Sequence, residues 1–288
     1  MKIVSPGNTV EIIKKYNLKL SKKYGQNFLI DENVLKKIIK VGELTGEDMV
    51  LEVGPGIGTL TQALAAESGK VAALEIDEHL IPVLQDNLKE YKNLHIIHKD
   101  VLGVDLREVL TSLGGNEKWK VISNLPYNIT TPLIMKFLKE RDLFSLMILM
   151  VQREVGERIV ASPGGKDYGA VSVLIQMFAS PEILFRVPPR VFIPPPEVES
   201  VVVKLKIREQ PLYYIQEEEV FYRVVRGSFQ HRRKSLLNSL ESSLKIRRQE
   251  LKELIVKANI DPTRRGETLS VGEFAKLSNI IYNNSKDI

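Results

Sequence analysis

The sequence predicts an α/β fold, a mainly parallel sheet followed by a small C-terminal α-helical domain. Three observations carry this. Short apolar runs recur at helix-length spacing, a glycine cluster closes the first of them, and the positive charge is gathered in the last third of the 288 residues. Fully buried parallel strands read as continuous apolar runs, and helix-length segments between them are the crossovers that parallel strands need. The 43% hydrophobic content suffices for a sizeable core.

Residues 1 to about 40 read as a polar arm and then a helix, with Asp31 as N-cap before Val34, Leu35, Ile38 and Ile39 at helical spacing. The first strand, Met49 to Val53, runs into Gly54–Gly58 and a helix through Leu60, Leu64 and Ala65. Further apolar runs follow. Val71–Leu74 ends at Glu75, His95–His98 at Asp100, Lys120–Ser123 at Asn124, and Leu146–Val151 makes a fifth. In such sheets ligands bind beyond the carboxyl ends of the strands, so Gly54, Glu75, Asp100 and Asn124 form a candidate site. The proline-rich Val187–Pro196 segment is neither helix interior nor central strand, and Ser200–Leu205 reads as a strand closing the sheet. Helical spacing returns over Val220–Leu244 and Arg248–Ala258, and Ser270 with Glu273 forms a capping-box pattern before a last helix. The domain boundary falls near 207–216, giving a domain 1–210 and a helical domain 211–288.

Composition narrows the function classes. There is no cysteine, hence no disulfide, thiolate metal site or cysteine nucleophile. The start of the chain lacks a signal-peptide run, and no apolar stretch reaches the ~18 residues of a membrane helix; a cytoplasmic, membrane-free protein is expected. From Ser200 onward there are 17 Lys and Arg against 11 Asp and Glu, a balance of +6 beside −1 for the rest. A basic module next to a neutral one suits a polyanionic partner. The four histidines, His79, His95, His98 and His231, have no ligand spacing with another strong ligand, so no metal is expected.

Glycines at a strand-to-helix turn permit positive φ and close ligand approach. A phosphate-binding P-loop would end in Gly-Lys-Ser/Thr, but Gly58 is followed by Thr59. A dinucleotide loop would have its third glycine, or an alanine, at Thr59. Glu52-Val53-Gly54-Pro55-Gly56-Ile57-Gly58 instead resembles the first motif of the class I (Rossmann-like) methyltransferases, which implies S-adenosylmethionine as cofactor. Glu75, at the end of the next strand, suits a ribose diol, and Asp100 suits an adenine amino group. Asn124-Leu125-Pro126-Tyr127 resembles the Asn-x-Pro-Tyr motif of enzymes that methylate exocyclic amines. An adenine N6 lone pair is delocalised into the ring. Two acceptors, the Asn124 side-chain oxygen and the Pro126 carbonyl, would favour sp3 character at attack, while an aromatic face offers a stacking surface of roughly 1–3 kcal/mol.

With these motifs in place, the chain resembles the ribosomal RNA adenine dimethyltransferases of the KsgA (RsmA) type from about Tyr24 to Asn279. Lys23 to Leu29 matches the opening motif, which implies that Asn27 and Leu29 meet the cofactor's methionine end. Gly54, Gly56, Glu75, Asp100 and Asn124 match its other cofactor positions. Phe192-Ile193-Pro194-Pro195-Pro196-Glu197-Val198-Glu199-Ser200 resembles the motif whose Phe lies beside the target base. The segments Gln152–Gly169, His231–Leu236 and Arg264–Ser270 favour the small-subunit type over the large-subunit methylases of antibiotic resistance, which usually have Ile at the Leu125 position. The resemblance implies N6,N6-dimethylation of two adjacent adenines in the 3'-terminal hairpin of small-subunit rRNA, with a pre-ribosomal particle as partner and a monomeric enzyme. It also allows a chiefly assembly-factor role. Arg232, Arg233, Lys234, Arg264 and Arg265 are the candidate RNA contacts.

Overall fold

The computed structural model describes residues 2–19, 25–114, 117–231 and 233–284. Its contacts divide the chain into two compact units, Met1–Gly156 with Glu182–Ile207, and Glu157–Pro181 with Arg208–Ile288. The division expected at 210/211 puts Glu157–Pro181 in the first domain, but the structure groups it with the second, because its aromatic residues join that unit's core.

In the first unit, α1 (Pro6–Lys15) and the short β1 (Phe28–Leu29) precede α2 (Glu32–Gly42). Then β2 (Met49–Val53), β3 (Lys70–Glu75), β4 (Leu94–His98) and β5 (Trp119–Asn124) alternate with α3 (Thr59–Glu67), α4 (Ile81–Asn87) and α5 (Leu106–Ser112). Next come α6 (Thr130–Lys139) and β6 (Phe144–Gln152); α7 (Arg153–Val160) and α8 (Ala170–Phe178) follow, the stretch from Glu157 to Pro181 counting with the second unit, before β7 (Ala179–Val187), β8 (Phe192–Ile193) and β9 (Ser200–Ile207). The main sheet has the order β4-β3-β2-β5-β6-β9-β7. It is parallel from β4 to β6, and β9 returns antiparallel to β6. A separate two-stranded ribbon pairs β1 with β8, setting Leu29 opposite Phe192.

The arm is not merely polar. Asp31 caps α2 as expected, accepting from the Asn33 and Val34 amides at 2.9 Å each. The preceding segment, however, forms the ten-residue α1, capped by Ser5 with Pro6 in its first turn. Ile3 and Ile12 bury themselves in a cluster with Phe28, Ile57, Leu80, Val83, Leu84 and Leu88, so α1 packs with the glycine loop's Ile57. Another cluster joins Leu35 and Ile38 of α2 and Leu60 and Leu64 of α3 to Val50, Ile122, Ile148, Met150 and Val202 of the sheet.

Order in the sheet reverses at β2, with β3 on one side and β5 on the other, and such a switch point opens a crevice at the strand ends. The β2–β5 ladder pairs Val50 with Lys120 and Leu51 with Val121. Beyond it the buried Ser123 hydroxyl bridges the strands, donating to the Val53 carbonyl at 2.7 Å.

The second unit holds α9 (Glu218–Phe229), α10 (Leu236–Ser243), α11 (Arg248–Lys257) and α12 (Val271–Asn284). The continuous helical spacing over Val220–Leu244 is broken into two helices, with Ser235 capping the second through its hydroxyl. Phe178 of α8 packs edge-on against Phe221 and stacks on Tyr222, both of α9, at centroid distances of 6.3 and 5.9 Å. Tyr168 meets Phe229 at 6.0 Å. Among the described residues no helix is long and apolar enough to cross a membrane.

Candidate active site

The carboxyl ends of β2, β3, β4 and β5 surround a cavity that opens to solvent. Asn27, Leu29, Gly54, Gly56, Glu75, Asp100, Asn124 and Pro126 all line it.

The glycine loop makes its floor. Gly54 at φ +69° and Gly56 at φ +60° occupy the left-handed region, where a side chain would be strained. Space is short as well: a Cβ on Gly54 would lie in tight contact, 3.2 Å from Pro126 Cγ, and one on Gly56 would lie 2.9 Å from the Phe28 ring and force it to shift. Backbone therefore forms the cavity surface here.

Glu75 is 4% exposed. Its Oε1 accepts from the Ile76 and Asp77 amides at 2.9 Å each, and its Oε2 from the Gly56 amide at 3.3 Å. Burial raises its pKa, and those amide bonds work in the opposite direction. The carboxylate is thus fixed against the loop with lone pairs to spare. Asp100 is exposed; its Oδ1 accepts from the Leu102 amide at 2.9 Å, and no described residue donates to its Oδ2.

Glu52 belongs to the glycine motif, and sequence reasoning assigned it no task. It lines the cavity at 2% exposure. Burial pushes its carboxyl up to about 8, reinforced by Glu75 nearby. Its Oε2 is buried with no partner. Ile76, an apolar side chain 44% exposed, also lines the cavity. An uncovered apolar residue directly after a strand-end acid was the available sequence signal.

Asn124 ends β5. Its Nδ2 donates to the Asn27 carbonyl at 3.2 Å, tying the opening motif to the strand end, while its Oδ1 is buried and unpartnered. Asn27 in turn donates from Nδ2 to the Gly25 carbonyl at 3.1 Å. Buried acceptors are almost always satisfied, so an empty one at a cavity wall marks a place for a donor.

The next residues revise the expectation. The Pro126 carbonyl accepts from Ile129 N at 3.2 Å and from Thr130 Oγ1 at 3.0 Å. Its two lone pairs are engaged in turning the chain into α6, so it is not available to an amine. The neighbouring Leu125 carbonyl accepts none of the hydrogen bonds found among the described residues. Tyr127 is half-buried, with its hydroxyl 2.5 Å from Ser200 Oγ, and burial pushes the phenol pKa up.

Phe192 is 2% exposed and packs with Leu29, Leu35 and Ile38 in the core; like Tyr127, it does not line the cavity. Pairing with Leu29 in the β1–β8 ribbon sets its side chain toward that core.

The basic candidates separate. Arg264 is spent inside its own unit: it ion-pairs with Glu273 and donates to the Thr268 carbonyl at 2.7 Å. Glu273 also holds the Ser270 amide at 2.8 Å and accepts from Ser270 Oγ at 3.0 Å, so the expected capping box and Arg264 form one knot. Arg233 and Lys234 are exposed, and Arg265 keeps more than half its side chain exposed, 4.0 Å from Glu267. Arg232 lies outside the described residues, as do Lys23 and Tyr24 of the opening motif. Among the described residues no group of three His, Cys, Asp or Glu could hold a metal ion.

Comparison with known proteins agrees with this geometry. The family model of the ribosomal RNA adenine dimethylases matches residues 17–283. Ribosomal RNA small subunit methyltransferase A of Alkaliphilus metalliredigens is 46% identical over 278 residues, covering 96% of this chain and 97% of the relative. The protein of the same name from Halothermothrix orenii is 48% identical, covering 97% and 94%. Among solved structures, a dimethyladenosine transferase from Plasmodium falciparum superposes with a TM-score of 0.71 at 26% identity, covering 87% of this chain and 95% of its own. The 23S rRNA methyltransferase ErmE shares the fold, with a TM-score of 0.65 at 24% identity over 89% of this chain and 100% of its own.

Proposed function

This chain belongs to the ribosomal RNA adenine dimethylase family, and from that premise we propose that it transfers methyl groups to N6 of two adjacent adenines in the 3'-terminal hairpin of small-subunit rRNA, giving N6,N6-dimethyladenosine. S-adenosylmethionine supplies an electrophilic methyl carried on a sulfonium sulfur. The cavity's residues fit that cofactor. Gly54 and Gly56 leave a side-chain-free cradle, and Glu75 is an anchored carboxylate with lone pairs left for a diol. Asp100 has a free oxygen for an amino group, Ile76 an apolar face for a purine, and Asn27 and Leu29 line the end nearest Asn124. Glu52 adds a carboxyl that can turn anionic beside a cation.

The buried, unpartnered Asn124 Oδ1 is the observation that carries the reading. An adenine amine there would donate one hydrogen to Asn124 and the other to the Leu125 carbonyl. Holding both draws the nitrogen toward sp3 geometry and frees its lone pair for attack. Tyr127 would stack on the base. Attack makes the nitrogen cationic, so its proton is acidic enough to leave to water without a side-chain base.

The catalytic role falls to the first unit and RNA recognition to the helical second unit, where Arg233, Lys234 and Arg265 have the exposure a phosphate contact needs. The substrate is small-subunit rRNA within a pre-ribosomal particle, met by a monomer. Incubating the protein and tritiated S-adenosylmethionine with small or large subunits lacking the modification tests this. Label in small-subunit dimethyladenosine supports it, and label in large-subunit rRNA refutes it.

A further inference from the structure

Tyr127 is fastened at its far end. Its hydroxyl meets Ser200 Oγ at 2.5 Å, and Ser200 is fully buried as the first residue of β9. Ser200 is itself immobilised by backbone. It pairs with Gln152 at the end of β6. The next β6-side residue, Arg153, donates its amide to the Glu199 carbonyl at 2.9 Å and its guanidinium to the Glu199 carboxylate at 3.2 Å. On the other side Gly156 lies so close to Val201 that an added Cβ would stand 2.3 Å from it. One end of the tyrosine thus belongs to the turn after β5, and the other is pinned to a strand entering from the far end of the chain.

We propose that Ser200 is a positioning residue that fixes the plane of the Tyr127 ring, and that the second methyl transfer depends on it more than the first. The inference rests on the stacking role given to Tyr127 above. An unmethylated amine offers two hydrogens, to Asn124 and Leu125, and these orient the base even over a loosely held ring. After one transfer a single hydrogen remains. Rotation about that one bond is then restrained by the stacking surface, and a ring free to swing lets the nitrogen miss the methyl. Burial keeps the phenol neutral through the working range, so the contact is a hydroxyl–hydroxyl bond that each partner can lose by a one-atom change.

Single-turnover transfer to unmethylated small subunits, with mono- and dimethyladenosine resolved by mass spectrometry, tests this in Ser200→Ala, Tyr127→Phe and the double variant. Cofactor affinity by calorimetry serves as the control for the fold. Each single variant should slow the second transfer about tenfold, the size of one lost buried hydrogen bond. The first transfer should fall by less than the second, so monomethyl product accumulates. The double variant should be no worse than either single. A general loss of structure would scale both transfers together and leave the ratio unchanged, so an unchanged ratio, or additive losses in the double variant, overturns the proposal. Tyr127→Phe covers the case in which Ser200→Ala fails to fold. Tyr127→Ala separates the two ideas: if it too gives the wild-type ratio, the stacking reading itself falls, whereas a shift confined to Tyr127→Ala removes only Ser200.

Discussion

Replacing Asn124 by alanine removes two things at once, and they are separable. The Nδ2 bond to the Asn27 carbonyl, 3.2 Å long and partly buried, is lost, costing about 1 kcal/mol of stability. For a chain of this size that lowers Tm by about 2–4 °C. The Oδ1 acceptor is lost as well, and because no described residue uses it, its absence costs the folded protein nothing further. Its cost falls on a substrate amine left with an unmet donor in a closed site, about 1–3 kcal/mol, or roughly 5- to 150-fold in rate. Single-turnover transfer should therefore drop much more than cofactor affinity, which loses only the indirect support of the Asn27 segment. A wild-type rate, or a rate loss matched by an equal loss of cofactor affinity, would refute the assignment of Asn124 to the amine.

Other expectations follow from the same geometry. Glu75→Ala should weaken S-adenosylmethionine binding by calorimetry at least tenfold while the protein still folds. It removes an anchored carboxylate that also steadies the Gly56 amide. Glu52 holds a proton in the folded state up to about pH 8 but releases it near 4.5 when unfolded, so the native state binds more protons between those values and loses stability as pH rises through them. That loss is about 1.4 kcal/mol per pH unit, and Glu52→Gln should flatten the fall of Tm between pH 5 and pH 8 in the cofactor-free protein. Arg264→Ala should destabilise the helical unit by about 2 kcal/mol through its Glu273 and Thr268 bonds, seen as a lower melting transition. Arg233→Glu with Lys234→Glu should leave melting unchanged, weaken subunit binding, and make the log–log salt slope shallower by about 0.7–0.9 per lost phosphate contact.

The strands and their ends were legible because buried parallel strands tolerate little but apolar residues, so Val71–Leu74 or Leu146–Val151 announce themselves. Glu75, Asp100 and Asn124 then stand out as polar residues where the runs stop. Less legible was β7, which includes Pro181, Glu182 and Arg186; as an edge strand it needs neither a continuous apolar run nor every amide. The α1 helix escaped notice because Thr9 and Ile12 are its buried residues, too few for a visible periodicity. Long-range partnership was invisible as well. Nothing local in Arg264 says that Glu273 has claimed it, nothing in Phe192 that Leu29 turns it into the core, and nothing in Pro126 that Thr130 will occupy its carbonyl.

Dimethylation of adjacent adenines of small-subunit rRNA is open to direct test. The most direct measurement is mass-spectrometric mapping of rRNA from small and large subunits, taken from a strain lacking the modification and incubated with the purified protein and S-adenosylmethionine. The expected result is N6,N6-dimethyladenosine at two neighbouring positions of the 3'-terminal hairpin of the small-subunit rRNA. Modification of large-subunit rRNA instead, or of a group other than an adenine N6, would contradict it.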